Sequence, residues 1–413
     1  MLMLTDILRF SAKDDRGGSA RVSDLAVALL EDDYPPITGL LVFQNESPKE
    51  IGWQDVIDVD ASSRTIRVKD LANARATKEL SHDVLLKRDI LDSLILDLLG
   101  RQTTRVCDLF LDIEDERLRL KGAAAGLVAM LRRVFHGRLS KPAEKEMFDW
   151  KYVEFLRGDP AAVNNGEGYR LRINRLPAGE IARLADYIPY LHAAELLKLL
   201  PDAKAARVLE ATPIERQLQI VEELDEDETI GILALMSSDL AADVIGRLEL
   251  KTMRRYLNRM PKRRSQLITE LLRYPEDLVG GVMTNDILVI PANSLCADAR
   301  REVESRLEEV RFDTLVFIVD SLDGRQLRGA ISLKDMLAAE DHVALDAIMD
   351  PYLQTLDPFS KAVDAAYRIV TSQLPAMPVV DGDGRIIGAM TVEAAISRLV
   401  PNTSALQQVK VFS

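Results

Sequence analysis

The sequence predicts a multidomain α+β protein with a duplicated small β-barrel, an α-superhelix of short repeats and a tandem pair of α/β domains. A pentapeptide recurs in the N-terminal third, apolar residues recur with a period of twelve in the middle, and one strand–helix–strand–strand–helix pattern occurs twice near the end. The length of 413 residues fits this division, because about 150 residues per domain gives roughly three domains.

The charge balance is acidic, with 53 Lys and Arg against 66 Asp and Glu and a net charge of -13. Nucleic-acid binding needs a basic face that displaces counterions from phosphates, so we expect no nucleic acid partner. No stretch reaches about 18 uncharged apolar residues, and residues 1–16 lack the basic-then-apolar pattern of a signal peptide. We therefore expect a cytoplasmic protein with no direct membrane insertion.

The residues that usually carry catalysis are scattered. Cys107 and Cys296 lie far apart without a CxxC partner, which is typical of a reducing compartment. The four histidines show no metal-ligand spacing, and no nucleophile elbow, phosphate-binding loop or dinucleotide-binding glycine motif occurs. We therefore expect a protein that is not an enzyme.

The N-terminal third contains an internal duplication, assigned to a domain at 1–170. Residues 21–25 (RVSDL) recur as 105–109 (RVCDL), and a tryptophan follows each copy, Trp53 and Trp150. The first copy predicts a turn at 34–36 and short strands at 38–43 and 65–68, whereas the second adds an amphipathic helix at 126–135.

Duplicated short strands of this kind resemble the PRC-barrel family, small β-barrels that often dock on partners. The resemblance implies a partner-binding role for this domain. The two tryptophans have two interpretations, as core anchors of a duplicated barrel or as ligand contacts.

From Leu176 the chain shows a period of twelve, which predicts an α-superhelical domain at 171–273. Prolines or capping residues follow the periodic apolar positions, and both residue types suit the first helical turn. A short helix cannot bury its apolar stripe alone, so successive helices must stack. The periodic apolar positions are Leu176, Ile188, Leu200, Leu224, Met236, Leu248 and Met260, with Thr212 as the weak member.

An acidic run at 222–228 lies within this array. One interpretation is a solvated helix end, because carboxylates are favourable near a helix N-terminus. The other is a carboxylate patch that binds magnesium, because hard divalent cations prefer oxygen ligands.

The final third repeats one pattern at 274–340 and at 341–400, followed by a tail at 401–413. A Met-[Thr/Asp] step, a Val-Asp turn that ends in Asp-Gly and a Gly-x-x-[Ser/Thr] step occur in order in both copies. This pattern resembles a tandem pair of CBS domains, which often bind adenine nucleotides between them.

The segment 274–284 (YPEDLVGGVMT), between the helical array and the CBS pair, resembles the cytosolic region of MgtE-type magnesium channels. The resemblance covers about residues 172–400 and implies a magnesium sensor that forms a homodimer and regulates ion transport. It also implies a membrane transporter as a partner, because the pore helices of that family are not encoded here.

The sequence differs from the family at the positions of the metal-sensing residues. Arg207, Gly231, Gln373 and Ala394 stand where the family has acidic sensor residues, whereas Asp227 stays acidic. Since Mg²⁺ wants near-octahedral oxygens and releases water reluctantly, we expect weak magnesium binding at most. The candidate ligands are Asp225, Glu226, Asp227, Glu276 and Asp277.

The first CBS copy supplies the candidate nucleotide-binding residues. By the resemblance, Asp335 stands where a carboxylate accepts the ribose hydroxyls, Ser332 reaches ribose or phosphate, and Lys334 neutralises phosphate. Ala394 replaces the matching aspartate in the second copy, which predicts a poor site there. Alternatively, Asp335 is only an acid at a helix N-terminus.

Together these features predict a non-enzymatic sensor that binds an adenine nucleotide (ATP or AMP), magnesium or both, and modulates a partner such as a membrane ion transporter. The alternative is an assembly adaptor, in which the CBS pair only dimerises and the barrel docks the partner. We expect a homodimer through apolar helix faces of the CBS pair. The residues assigned to these faces are Ala362, Ala365, Ala366, Ile369, Val303 and Leu307.

Overall fold

A computed structural model describes residues 1–29, 32–44, 47–76, 84–114, 117–134, 147–156, 172–306 and 314–399. The chain divides into two compact units, Met1–Pro201 and Asp202–Ser413. The predicted tail at 401–413 and Leu307 lie outside the described residues. The domain boundaries at 170/171, 273/274 and 340/341 stay predictions.

The first unit consists mainly of β-strands. They form an eight-stranded sheet with the path β6-β7-β2-β3-β4-β5-β8, where β9 also pairs with β3, a four-stranded sheet β1-β12-β13-β14, and a three-stranded sheet β11-β10-β15. The strands are β1 Leu2–Met3, β2 Ser11–Lys13, β3 Ser19–Val27, β4 Ile37–Gln44, β5 Ser47–Gly52, β6 Val56–Asp60, β7 Thr65–Val68, β8 Arg75–Ala76, β9 Val84–Leu85, β10 Leu94–Asp97, β11 Gln102–Arg105, β12 Asp108–Glu114, β13 Arg117–Ala124, β14 Met147–Asp149 and β15 Val153–Phe155.

The two copies of the duplication exchange their first strands. In the first copy, β1 pairs with β12 of the second copy, with Leu2 opposite Leu111. In the second copy, β9 pairs with β3 of the first, with Leu85 opposite Ala26. Each copy therefore completes a sheet of the other.

The repeated aspartates hold this exchange in place. Asp108 accepts a hydrogen bond of 3.1 Å from the Thr5 backbone N–H, at the start of helix α1 (Leu4–Ile7). Asp24 accepts bonds of 2.8 and 3.0 Å from the backbone N–H groups of Lys87 and Arg88, in the helical turn Leu86–Ile90. Burial raises the pKa of both carboxyl groups, and hydrogen bonds to the charged form oppose that rise. The RVxDL repeat thus encodes the contact between the copies.

The helix predicted in the second copy is present as α2 (Gly126–Val134). Its Arg132 is 2% exposed and donates two hydrogen bonds to the carboxylate of Asp6, at 2.7 and 2.8 Å. Arg132 also lies 3.4 Å from the buried carboxylate of Asp108. The buried Arg132 therefore links α2 to the first helix and to β12, the strand that pairs with the exchanged β1.

A common apolar core joins the two copies, and Trp150 is fully buried in it. The Trp150 ring meets the edge of Phe155, with centroids 6.0 Å apart. Trp53 is partly buried and packs against the same core. These contacts favour the core-anchor interpretation of the tryptophans. The PRC-barrel assignment itself stays a prediction.

The twelve-residue period is confirmed, because successive helices begin twelve residues apart. Pro177, Pro189, Pro213 and Pro261 each lie immediately before a helix, where the missing N–H of proline costs nothing. The helices are α3 Ala178–Tyr187 and α4 Tyr190–Lys198 in the first unit, and α5 Asp202–Glu210, α6 Ile214–Glu223, α7 Glu226–Leu235, α8 Ser238–Gly246, α9 Leu250–Arg259 and α10 Lys262–Leu271 in the second.

In the second unit, helices two positions apart are neighbours, so that α5 packs on α7, and α8 packs on both α6 and α10. This arrangement buries one apolar stripe per helix, which single short helices cannot do.

The CBS-like pair completes the second unit. Strand β16 is parallel to β17, and β17 is antiparallel to β18, while β19 and β20 form the antiparallel ladder of the second copy. The elements are α11 Val279–Val282, β16 Leu288–Pro291, α12 Cys296–Arg306, β17 Leu315–Val319, β18 Leu327–Ser332, α13 Leu333–Ala338, α14 Ala362–Ser372, β19 Ala376–Val380, β20 Ile386–Thr391 and α15 Val392–Leu399.

The prediction of which residues form the dimer face is wrong. Ala362, Ala365, Ala366, Ile369 and Val303 are at most 2% exposed in the single chain, so their own chain already covers them. The large apolar side chains that α14 and α15 leave exposed are Val363, Tyr367, Val370, Ile396 and Leu399.

Buried polar contacts join the helical array to the CBS pair. Ser238, at the start of α8, donates a hydrogen bond of 2.8 Å to the side-chain oxygen of Asn285, and the Asn285 amide donates one of 2.9 Å to the Leu267 carbonyl in α10. Arg264 forms an ion pair of 3.1 Å with the buried Asp286. Residues 284–286 therefore connect α8 and α10 to the first CBS strand.

Candidate functional site: a cavity between the two CBS copies

The two copies meet through a matched pair of backbone contacts. Ala330 and Asp350 exchange backbone hydrogen bonds of 3.0 and 2.8 Å, and Ala389 and Thr284 do so at 2.8 and 2.9 Å. The glycine one residue before each alanine allows this approach, since a Cβ on Gly329 would lie 2.6 Å from the Asp350 carbonyl oxygen. The Gly-x-x-[Ser/Thr] motif thus sets the distance between the copies.

Ser332 and Asp335 lie at the turn from β18 into α13. The Ser332 hydroxyl accepts a hydrogen bond of 3.0 Å from the Asp335 backbone N–H, which makes Ser332 the N-cap of α13. The same hydroxyl donates to the Asp335 carboxylate at 2.6 Å. The cap fixes the orientation of the carboxylate, which remains exposed at its outer side.

Ser332 and Asp335 line a cavity of about 430 Å³ that both CBS copies build. This volume falls within the range of small-molecule sites. The lining residues from β17, β18 and β19 are mostly buried and apolar, whereas Asp335, Asp350, Tyr352 and Ser372 are exposed. The remaining lining residues are Leu315, Phe317, Ala330, Ile331, Ile348, Asp350, Tyr352, Leu353, Gln354, Ser372, Leu374, Pro375, Ala376 and Pro378.

The third predicted residue, Lys334, is exposed in α13 and is not among the residues that line the cavity. In the second copy, Thr391 accepts a hydrogen bond of 3.2 Å from the Ala394 backbone N–H, which repeats the Ser332 cap. Alanine supplies no carboxylate there. Both copies therefore share the cap, and the poor second site stays a prediction.

Sequence reasoning did not assign Tyr352, Gln354, Ser372 and Leu374 to the site. They belong to the second copy, whereas Ser332, Lys334 and Asp335 belong to the motif of the first. The internal repeat could have identified this part of the site. Asp350, in the Met-[Thr/Asp] step of the second copy, pairs with Ala330 of the first copy and brings the residues after it to the cavity.

The predicted metal ligands near α7 already have protein partners. Asp225 and Glu228 form a capping box at the start of α7. Glu226 lies 2.9 Å from the Arg255 guanidinium and 3.0 Å from that of Arg259. Asp227 also pairs with Arg259. Two carboxylates of the acidic run therefore form ion pairs with basic residues of α9.

Glu276 and Asp277 lie in the junction before the CBS pair. Glu276 pairs with Arg247 at 3.0 Å, and the Asp277 carbonyl accepts a hydrogen bond of 2.9 Å from the Ala362 backbone N–H. Across the described ranges, no group of three or more His, Cys, Asp or Glu side chains is arranged to hold a metal ion.

Two matched copies surround a shared cavity, and residues 345–400 match the CBS domain family. Residues 176–277 match the family described as the MgtE intracellular N domain. The resemblance to the cytosolic region of MgtE magnesium channels is thereby confirmed for the helical array and the CBS pair.

Two relatives are magnesium transporters named MgtE. The chain is 26% identical over 139 residues to that of Thermus thermophilus, covering 34% of this chain and 30% of the relative. It is 27% identical over 129 residues to that of Enterococcus faecalis, covering 31% of this chain and 28% of the relative. The chain thus spans less than a third of these relatives.

Two solved structures share the fold. The cytosolic domain of the Mg²⁺ channel MgtE, in complex with ATP, has a TM-score of 0.50 and 25% identity, covering 54% of this chain and 90% of that one. The soluble part of a magnesium transporter has a TM-score of 0.51 and 22% identity, covering 55% and 88%. Among the described residues, no helix is long and apolar enough to cross a membrane.

Proposed function

We propose that this chain is a non-enzymatic regulatory protein that binds an adenine nucleotide in the cavity between its CBS copies. The observation that carries the proposal is the capped Asp335 in the lining of that cavity. A carboxylate accepts both hydroxyl protons of a ribose, and the apolar lining residues suit an adenine ring. The ATP named with the MgtE cytosolic domain supports this ligand class.

Isothermal titration of the full chain with adenosine, AMP and ATP tests the proposal. We expect a binding heat in the wild type that Asp335→Ala removes. Asp346→Ala is the control, because Asp346 is exposed and does not line the cavity, so it should bind like the wild type. Equal binding by Asp335→Ala would contradict the role of this carboxylate, and no heat with any ligand would favour the adaptor function.

We further propose that the regulated partner is a membrane ion transporter. The support is that 90% of the MgtE cytosolic domain is covered by this chain, whereas less than a third of the complete transporters is covered. Crosslinking in native membranes followed by mass spectrometry tests this proposal. Recovery of an ion transporter supports it, and recovery of copies of this chain alone contradicts it.

We propose that magnesium binds weakly, around Asp225, Glu226, Asp227, Glu276 and Asp277, without a tight cage. Arginine partners compete for Glu226, Asp227 and Glu276, so the ion keeps most of its water. Magnesium protection against proteolysis at 274–283 should therefore fade with added salt, because salt screens exposed charges. Protection at sub-millimolar magnesium that survives about 0.5 M salt would instead require a tight site.

A further inference from the structure

The cavity between the CBS copies has an acidic lining, which bears on the phosphate end of a bound nucleotide. Two of the residues that line it, Asp335 and Asp350, are acidic, and none of the described lining residues is Lys, Arg or His. Asp350 accepts a hydrogen bond of 2.9 Å from the Tyr352 backbone N–H, which fixes its side chain on the second copy. The cavity thus presents a negative potential from both copies.

The basic side chains near the cavity do not make its potential positive. Lys334 precedes Asp335 but extends into solvent outside the cavity lining. Arg368 of α14 donates a hydrogen bond of 3.3 Å to the side-chain oxygen of Gln354, so it approaches the rim through that amide. Polyphosphate sites usually provide several such donors directly to the phosphate oxygens.

We propose that this carboxylate pair makes the cavity select against phosphate charge, so that it takes adenosine and AMP in preference to ATP. The inference rests on the proposed nucleotide binding and concerns the 5′ end of the ligand. Asp335 engages the ribose, whereas Asp350 faces a chain of phosphates that carries the same sign of charge. Like charges within a few ångströms disfavour each other, and a partly desolvated cavity strengthens that effect.

Titration of the full chain in metal-free, low-salt buffer tests this ranking with adenosine, AMP and ATP. We expect ATP to bind about tenfold more weakly than adenosine, with AMP between them. Asp350→Asn should raise the ATP affinity several-fold and leave the adenosine affinity unchanged. Asparagine keeps an oxygen for the Tyr352 N–H, so the variant retains the local turn.

Two further variants complete the design. Ser372→Lys places a cation on the exposed end of α14 at the cavity and should also raise the ATP affinity. Asp346→Asn makes the same change in net charge away from the cavity and should leave the ranking as in the wild type. Stronger salt should narrow the gap between ATP and adenosine.

The inference is overturned if wild-type ATP binds as tightly as adenosine, or if neither Asp350→Asn nor Ser372→Lys changes the ratio of the two affinities. These outcomes differ from a failure of the proposed function, in which no adenine ligand binds and Asp335→Ala has nothing to abolish.

Discussion

Asp239 and Asp243 lie one turn apart on α8, where both side chains are half-buried. Burial raises the pKa of both to about 6, and the charge of Asp239 adds to the rise for Asp243. The charge of Glu210 also raises the pKa of Asp239. For Asp243, the charge of Glu276 raises the pKa, whereas Arg398 and Arg247 lower it. These carboxylates therefore cost stability when they ionise.

The sign of the pH dependence follows from linkage. The ordinary pKa of aspartate is 3.8, so between pH 4 and pH 6 the folded state holds protons that the unfolded state has released. The contribution of these groups to stability therefore falls as the pH rises through this window. At neutral pH both groups carry the burial cost.

We predict that Asp239→Asn stabilises the protein at pH 7.5 by about 1–2 kcal/mol, since one pKa unit corresponds to about 1.4 kcal/mol. The gain should vanish near pH 4. Thermal unfolding at both pH values measures it, with Asp202→Asn as the control, an exposed acid in the first turn of α5. A variant no more stable than the wild type at pH 7.5 would refute the prediction.

At the scale of elements, helix α2 depends on one buried side chain. Arg132 pairs with Asp6 and lies beside the fully buried Asp108, so removal of its charge leaves an uncompensated carboxylate in the core. The next residue, Arg133, forms a comparable pair with Asp92, but at the surface.

We predict that Arg132→Met lowers the free energy of unfolding of the first unit by about 3–5 kcal/mol. Arg133→Met, which removes the exposed pair, should cost at most about 1 kcal/mol. Denaturant unfolding followed by tryptophan fluorescence compares them, because Trp150 and Trp53 both belong to this unit. Equal losses in the two variants would show that burial of the pair is irrelevant.

The helices were predictable because their signals are local. Proline or a capping residue precedes a helix, and apolar residues recur within it, so both bounds follow from the nearby sequence. The exchange of β1 and β9 was not predictable, because neither strand carries a local mark of its partner, which lies about a hundred residues away for β1 and about sixty for β9.

The site shows the same division. Ser332 and Asp335 form a local cap motif that sequence alone identifies, whereas Tyr352 joins them only through the contact between copies. The prediction of the dimer-face residues was wrong for a related reason. Helical spacing marked Ala362 and Ile369 as buried, but it does not indicate whether the same chain or a partner covers them.

At the scale of the whole molecule, we expect a homodimer formed by the exposed apolar face of α14 and α15. Val363 is 55% exposed and Tyr367 66%, which is costly for side chains left in water. The same face on a second copy can cover them in a two-fold contact.

We predict that Tyr367→Asp converts a dimer into a monomer at tens of micromolar protein, as measured by multi-angle light scattering. Leu322→Asp is the control, because Leu322 is comparably exposed (62%) but lies in a turn of the first copy. A wild-type monomer at this concentration, or a dimeric Tyr367→Asp variant, would contradict the predicted face.

The exchanged first strands also affect the order in which the chain is made. Leu2 and Met3 leave the ribosome more than a hundred residues before their partners Leu111 and Phe110. At about 5–20 residues per second, the first strand waits roughly 5–20 s for its neighbour. During that interval Leu4 and Ile7, which are fully buried in the finished protein, have no core to enter. The nascent first copy is therefore expected to need a chaperone until the second copy has emerged.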